Sequence, residues 1–331
     1  MTAMLKRRLL AGAALAAPFV ANPARAQPLQ FRITTAGQDR DWLVLALNRF
    51  KEAIERDLSG QVQVSVHPNA SLFRQGAEVP AVQRGNVEMS TMNTFEVDQQ
   101  IPELGPYSAG YGFRDWAHVS AVFRGPVGQE YIAAVRERMR IEIIAVTYLG
   151  TRQLNLRQFR DARQPSDLAG LRVRMPPGPG WVALGRGLGF TPTPMAIPEV
   201  YLALRNGTVD GQDNPVAITR ANNFHEVTQQ VILTSHLVQP VFYAIGKPWW
   251  DRLTPRQQEV FRQHATETAA WNDQQRLADE NAVLDFFRAQ GLRITSPDLA
   301  PFRASVARQY EADGLTARWQ PGLARRLAEV S

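Results

Sequence analysis

Apolar and polar positions begin to alternate at Phe31, and FRITT predicts a strand that ends at Thr35-Ala36-Gly37. Leu43, Leu47, Phe50, Ile54 and Leu58 then recur at helical spacing, which predicts a helix over roughly Trp42 to Leu58, closed by Gly60. Val62, Val64 and Val66 alternate through a second strand. A short helix around Glu78 to Arg84 leads to a third, VEMSTM, ending at Asn93. This βαβαβ order is the repeating unit of a doubly wound sheet. Residues 94–140 read as loop and helix, and IEIIAVTYLG as a strand covered on both faces, ending at Thr151 and Arg152.

The next block, Asp167 to Pro215, carries the densest pattern. Leu171, Val173 and Met175 alternate with Arg172 and Arg174, a strand with one apolar face that Pro176 and Pro177 stop. A helix from about Trp181 follows, then EVYLALRN, opened by Pro198 and closed by Gly207. Val209 is expected in a short strand, with Asp210 to Pro215 turning away from it. Thr35, Asn93, Arg152, Arg174 and Asn214 are thereby each expected at the exit of a strand, where open α/β sheets bind ligands.

Further on, Val231 to Leu233 and VFYAIG predict two separate strands. Thr254-Pro255 is a helix start, and the helix is expected to run to Ala289 with Gly291 as its C-cap. Val260, Phe261, Trp271, Leu277, Val283 and Phe287 would form its buried side. Its length of about 50 Å suffices to lie across two domains. A short strand, LRIT, and a last helix opened by Ser296-Pro297 complete the pattern.

Composition narrows the class. A chain of 331 residues supports two α/β domains, and its 44% hydrophobic and 21% charged residues are ordinary globular values. The absence of cysteine excludes disulfides, thiolate metal sites and cysteine nucleophiles. The first 26 residues read as an export signal: Lys6, Arg7 and Arg8, then LLAGAALAAPFV, then Ala24-Arg25-Ala26 as a cleavage pattern. The paired arginines admit the twin-arginine route as well as the general secretory one. This segment holds four of the 37 basic residues and none of the 31 acidic ones, leaving a net charge of +2. No basic block interleaved with aromatics points to nucleic acid, and no apolar run reaches membrane-spanning length. The expectation is a soluble periplasmic protein.

Catalytic motifs are weak. Gly178-Pro179-Gly180-Trp181-Val182-Ala183 fits a G-x-G-x-x-A dinucleotide fingerprint with Glu199 about twenty residues on, so an exported NAD-dependent oxidoreductase is the rival reading. Three prolines crowd that loop, however, and it is not the first βα turn. Around Ser108 the nucleophile-elbow pattern fails because position 106 is proline. The five histidines show no metal-ligand spacing.

Four segments carry a family resemblance: GTRQ (150–153), LAGLRVRMP (168–176), TPTPMAIPEVYLALRNGTVDGQDNP (191–215) and SPDLAPF (296–302). They closely resemble the periplasmic solute-binding subunit of TRAP (tripartite ATP-independent periplasmic) transporters, and the likeness extends over essentially the whole mature chain. The resemblance implies a two-lobed α/β periplasmic binding protein with a hinged interlobe cleft and a long C-terminal helix spanning both lobes. It implies no enzyme, cofactor or metal, but a monomer delivering its ligand to a membrane permease of small and large subunits driven by an ion gradient. Lobe I would comprise 27–149 plus about 240–279, and lobe II 150–239 plus about 280–331.

By the same resemblance Arg174 matches the arginine that holds a substrate carboxylate, Arg152 a second arginine nearby, and Asn214 an assisting asparagine. A guanidinium offers a rigid donor fork to both carboxylate oxygens. Thr35, Gln75 and Asn93 would face them from the other lobe, and Trp181 could reach the cleft. The GTRQ and PTPMA segments are closest to the sialic-acid-binding branch. Asn93, however, stands where that branch resembles a glutamate, Ile197 where it has a phenylalanine, and Gln75 at an acidic position. These departures predict a less polar, less acidic site and a smaller or more apolar organic acid.

Overall fold

The computed structural model describes residues 27–331; the expected export signal, 1–26, lies outside the described residues. Among the described residues there are nine strands: β1 Leu29–Thr34, β2 Val62–His67, β3 Met89–Asn93, β4 Ile141–Leu156, β5 Arg172–Met175, β6 Thr191–Pro194, β7 Gly211–Pro215, β8 Gln230–Gly246 and β9 Arg293–Thr295. The helices that cover them are α1 Trp42–Asp57, α2 Glu78–Gln83, α3 Thr94–Asp98, α4 Trp116–Arg124, α5 Pro126–Ala134, α6 Pro179–Gly187, α7 Val200–Asn206, α8 Val216–Ala221, α9 Lys247–Trp250, α10 Pro255–Ala289, α11 Ala300–Ala312 and α12 Leu323–Ala328.

Hydrogen bonding links the strands in the order β2-β1-β3-β8-β4-β7-β5-β6, with β9 beside β8. At one end β1 pairs in parallel with both β2 and β3, the doubly wound unit that the alternation predicts. At the other, β5 pairs in parallel with β6 and β7. Between them β4 and β8, 16 and 17 residues long, run antiparallel through both lobes. Two hydrophobic clusters pack on the first half: one holds α1, β1 and β2, the other residues from Val79 to Tyr148. Three more pack on the second half.

Several expectations are corrected here. Val231–Leu233 and VFYAIG are one strand, β8, rather than two. Residues 211–215 are strand β7, not a turn, so Asn214 lies within a strand, as do Arg152 in β4 and Arg174 in β5. Arg152 is therefore no strand exit. Continuous strands escape pattern reading when part of them is polar: TRQ in β4 and the serine, histidine and glutamine of SHLVQP in β8 interrupt the apolar runs. The last helices begin at Ala300 and Leu323, and Leu323 and Leu327 pack with the Val79–Tyr148 cluster of the first lobe instead of with lobe II.

The junction is irregular. Between the pairs Arg152↔Leu237 and Leu154↔Ile232, β8 spends residues 233–236 where β4 spends Gln153 alone. The Gln153 side chain fills the resulting bulge, accepting the Ser235 backbone N–H at 2.8 Å. Gly150 adopts φ +130°, and a Cβ there would come within 2.4 Å of the Pro215 ring, so only glycine allows β4 and β7 to approach this closely.

Helix α10 begins with a capping box between Thr254 and Gln257, as the Thr-Pro start predicts. Val260 and Phe261 bury its first half in one cluster, Val283 and Phe287 its last half in another. Leu277, expected to be buried, is 48% exposed. The middle is instead seated by polar groups. Asn272 donates to Thr147 Oγ1 and to the Tyr148 carbonyl, both at 2.8 Å, and buried Arg276 donates to the Leu149 carbonyl at 2.8 Å and pairs with Asp41.

Candidate functional site

All eight residues singled out from the sequence, Thr35, Gln75, Asn93, Arg152, Arg174, Trp181, Ile197 and Asn214, line one cavity between the two halves of the sheet. It encloses about 720 Å³ free of protein atoms, its mouth included. Strands bring them there: β5 carries Arg174, β4 Arg152 and β7 Asn214, while Asn93 ends β3.

Arg174 places a guanidinium in the wall of the cavity. Its side chain is 0% exposed. Nε donates to the Met195 carbonyl at 2.8 Å, Nη2 to Gln75 Oε1 at 3.2 Å, and Nη1 has no partner. No carboxylate pairs with it among the described residues. Burial, reinforced by the neighbouring Arg152 and opposed by Asp213 and Glu199, pushes the guanidinium down from 12.5 to about 9, which leaves it charged at neutral pH. A buried, hydrogen-bonded but unpaired cation costs several kcal/mol of desolvation until an anion arrives.

Arg152 is different, although only 2% exposed. Its Nε and Nη2 reach both oxygens of buried Asp213, at 2.6 and 2.9 Å, and Nη1 donates to Gln239 at 2.8 Å. His236 Nε2 lies 3.1 Å from the same carboxylate. Asp213 is held well below the usual carboxylate range: burial alone would raise it, and the Arg152 charge, with the hydrogen bonds from His236 and Arg152, overcomes that. The Arg152 charge is thus already neutralised. Its guanidinium lies 4.5 Å from the centroid of the Trp181 ring, which also stacks on Phe95 at 3.7 Å and 15°. Two groups that close to one ring occupy opposite faces, so Phe95, Trp181 and Arg152 form a stack across the cleft.

The remaining groups are polar and oriented. Asn214 donates to Gln212 Oε1 at 2.6 Å. Thr35 and Thr91 share a hydroxyl hydrogen bond of 2.9 Å. Gln75 Oε1 also accepts the Ile197 backbone N–H at 2.8 Å, so one amide ties Arg174 and Ile197 to the opposite rim. Asn93 is the N-cap of α3: its side chain accepts from Phe95 N at 3.0 Å while its own N–H donates to Glu96 at 2.7 Å.

Sequence reasoning missed the acids. Asp41, Glu78 and Glu96 also line the cavity, with Gln239 and Asn222. Two glutamates, at 78 and 96, therefore stand in the cavity although position 93 is asparagine and position 75 glutamine. Burial pushes the Glu78 carboxyl up to about 7. Glu96 goes to about 8 through burial, then the nearby Glu78 and Asp98. The Asn93-x-x-Glu96 capping box is legible in the sequence and was the available signal for one of them.

The dinucleotide reading fails on geometry. A Cβ at Gly180 would lie 2.9 Å from the Phe95 ring and 3.2 Å from Asp98 Oδ2, so the first turn of α6 faces an aromatic ring and an acid where a pyrophosphate would have to sit.

The model of the bacterial extracellular solute-binding protein family 7, DctP, matches residues 33–313. The chain belongs to this family. Within the DctP family it is 31% identical over 302 residues to a solute-binding protein of Verminephrobacter eiseniae, covering 91% of this chain and 89% of that one. It is 25% identical over 260 residues to the sialic acid-binding periplasmic protein of Vibrio cholerae, covering 78% and 80%. Among solved structures, a TRAP periplasmic solute-binding protein of Roseobacter denitrificans with bound 3-deoxy-D-manno-oct-2-ulosonic acid superposes with a TM-score of 0.88 at 36% identity, over 92% of this chain and all of that one. A second from the same organism, with bound L-galactonate, gives 0.84 at 25% identity over 92% and 99%. DctP-family relatives are binding subunits of transporters rather than enzymes, and no described helix here is long and apolar enough to cross a membrane.

Proposed function

We propose that this DctP-family protein captures a polyhydroxylated carboxylate, a sugar acid, between its lobes and presents it to a membrane permease of small and large subunits driven by an ion gradient. The observation that carries this reading is the Arg174 guanidinium, fully buried in the cavity, with one nitrogen unbonded and no carboxylate of its own. A ligand carboxylate would supply the missing partner through paired hydrogen bonds, helped by Asn214. Arg152, saturated by Asp213, positions Trp181 rather than bonding the ligand.

The other pole of the cavity favours hydroxyls over an apolar tail. Glu78 and Glu96, whose raised pKa values let each act as donor or acceptor near neutral pH, would read ligand hydroxyls together with Thr35 and Asn93. The sugar acids bound by the two Roseobacter relatives have this polarity: one carboxylate and several hydroxyls.

Ligand contacts to both lobes would stabilise the closed form by population shift. The lobes in this reading are 27–149 with about 240–279, plus the terminal helix α12, against 150–239 with about 280–322. The mature protein would work as a periplasmic monomer after removal of residues 1–26.

A thermal-shift screen tests the reading. 3-Deoxy-D-manno-oct-2-ulosonic acid, L-galactonate and D-glucuronate are compared with galactitol, a polyol without a carboxylate, and with NAD. At least one sugar acid should raise Tm by the equivalent of about 2.7 kcal/mol at one hundred times Kd, and galactitol and NAD should not. Stabilisation by NAD or galactitol alone would overturn it.

A further inference from the structure

A second cavity lies behind the Phe95–Trp181 stack. Trp181 lines the ligand cavity and Phe95 lines this one, so the stacked pair is the wall between them. It encloses about 840 Å³ free of protein atoms, its mouth included, and both lobes contribute: Phe95, Asp98 and Ser108 on one side, Gly180, Leu315 and Trp319 on the other.

Its polar groups are only partly satisfied. Ser108 is 3% exposed, and its Oγ has no partner in hydrogen-bond geometry although it lies beside the Asp98 carboxyl. Asp98 forms no ion pair, and burial pushes it up to about 7 against the opposing effects of Ser108 and Arg318. Arg318, exposed at the mouth, forms no ion pair among the described residues either. An acid in depth and a cation at the mouth, close enough for the Arg318 charge to act on Asp98, complement a molecule that carries both charges on neighbouring atoms.

We propose that this cavity is a second ligand site, taking an α-amino acid with an apolar side chain. Its ammonium would sit between Asp98 and Ser108, its carboxylate would meet Arg318, and its side chain would pack on Leu315 and Trp319. An occupant touches both lobes and the back of the Phe95–Trp181 wall, so it would couple to capture in the first cavity.

Ligand-observed NMR and calorimetry with L-valine, L-leucine, L-isoleucine and L-methionine at millimolar concentration test the proposal. Isoamylamine and 4-methylpentanoate serve as leucine without one charge each. At least one amino acid should bind, at least tenfold more tightly than either isoamylamine or 4-methylpentanoate. Asp98→Asn should weaken it at least tenfold, with Ser108→Ala as the second variant should Asp98→Asn misfold, and Arg174→Ala should leave it in place. No binding by any of the four, binding equal to that of isoamylamine, or binding abolished by Arg174→Ala would each overturn the second site.

Discussion

Arg174 and Arg152 lie in the same cavity with similar burial, yet their chemistry is opposite because one has an acid and the other does not. Arg174→Ala should cost roughly 2–5 kcal/mol of sugar-acid affinity, about thirtyfold to several thousandfold, and Arg174→Lys should bind poorly because an ammonium cannot replace the fork. Removing an uncompensated buried charge also relieves the empty protein. Arg174→Met should therefore leave the Tm of the unliganded protein unchanged or raised while binding is lost, as differential scanning calorimetry would show. Asp213→Ala should do the reverse. It strands Arg152 and should destabilise the fold by about 3–5 kcal/mol in chemical denaturation.

The acids add a pH dependence at the same scale. Glu78 and Glu96 have folded-state values raised to about 7 and about 8 from 4.5, so the folded protein holds more protons than the unfolded chain between those limits. Their contribution is fully present below about pH 4.5 and is lost as pH rises through 7 to 8. The Tm of the unliganded protein should fall across that window, and Glu96→Gln should flatten the fall.

At the scale of elements, the long strands and α10 share one design: apolar ends seated in the lobe cores and a polar middle where they cross between lobes. Gly150 is a close approach between β4 and β7 at that crossing. Gly150→Ala should cost about 1–3 kcal/mol from backbone strain, with the Pro215 clash adding to it, measured by urea denaturation. The same design explains what was legible in the sequence. Helix α10, the alternating strand β2 and the first βαβαβ unit follow from local periodicity and caps, and they stand where the pattern places them. β8 does not, because Ser235 at φ +42° and the polar residues around it look like a loop; they bulge out of register with β4 and are carried in the strand by the ladders on either side and by the Gln153 side chain, contacts remote in sequence. Residues 211–215 were hidden for the same reason: Gln212, Asp213 and Asn214 are polar yet buried, satisfied by one another and by Arg152.

For the whole molecule, the cavity draws residues from sequence positions 35 to 241, so it exists only when the two lobes are together. Family resemblance singled out Arg174 and its neighbours, which line one cavity, but it did not reveal that Asp213 already neutralises Arg152, or that α2 and α3 bring two glutamates to that cavity. Both depend on tertiary placement. Closure should be visible in solution: small-angle scattering should report a smaller radius of gyration with a bound sugar acid than without, and Gln75→Ala, which removes the amide joining Arg174 and Ile197 to the other rim, should weaken that compaction.

The central claim is that a buried, unpaired guanidinium at position 174 exists to receive a ligand carboxylate. Calorimetric titration of the wild type and of Arg174→Ala with 3-deoxy-D-manno-oct-2-ulosonic acid, L-galactonate and D-glucuronate tests it most directly. The account predicts saturable binding of at least one of them to the wild type and a loss of thirtyfold or more in the variant. Affinity unchanged by Arg174→Ala would contradict it.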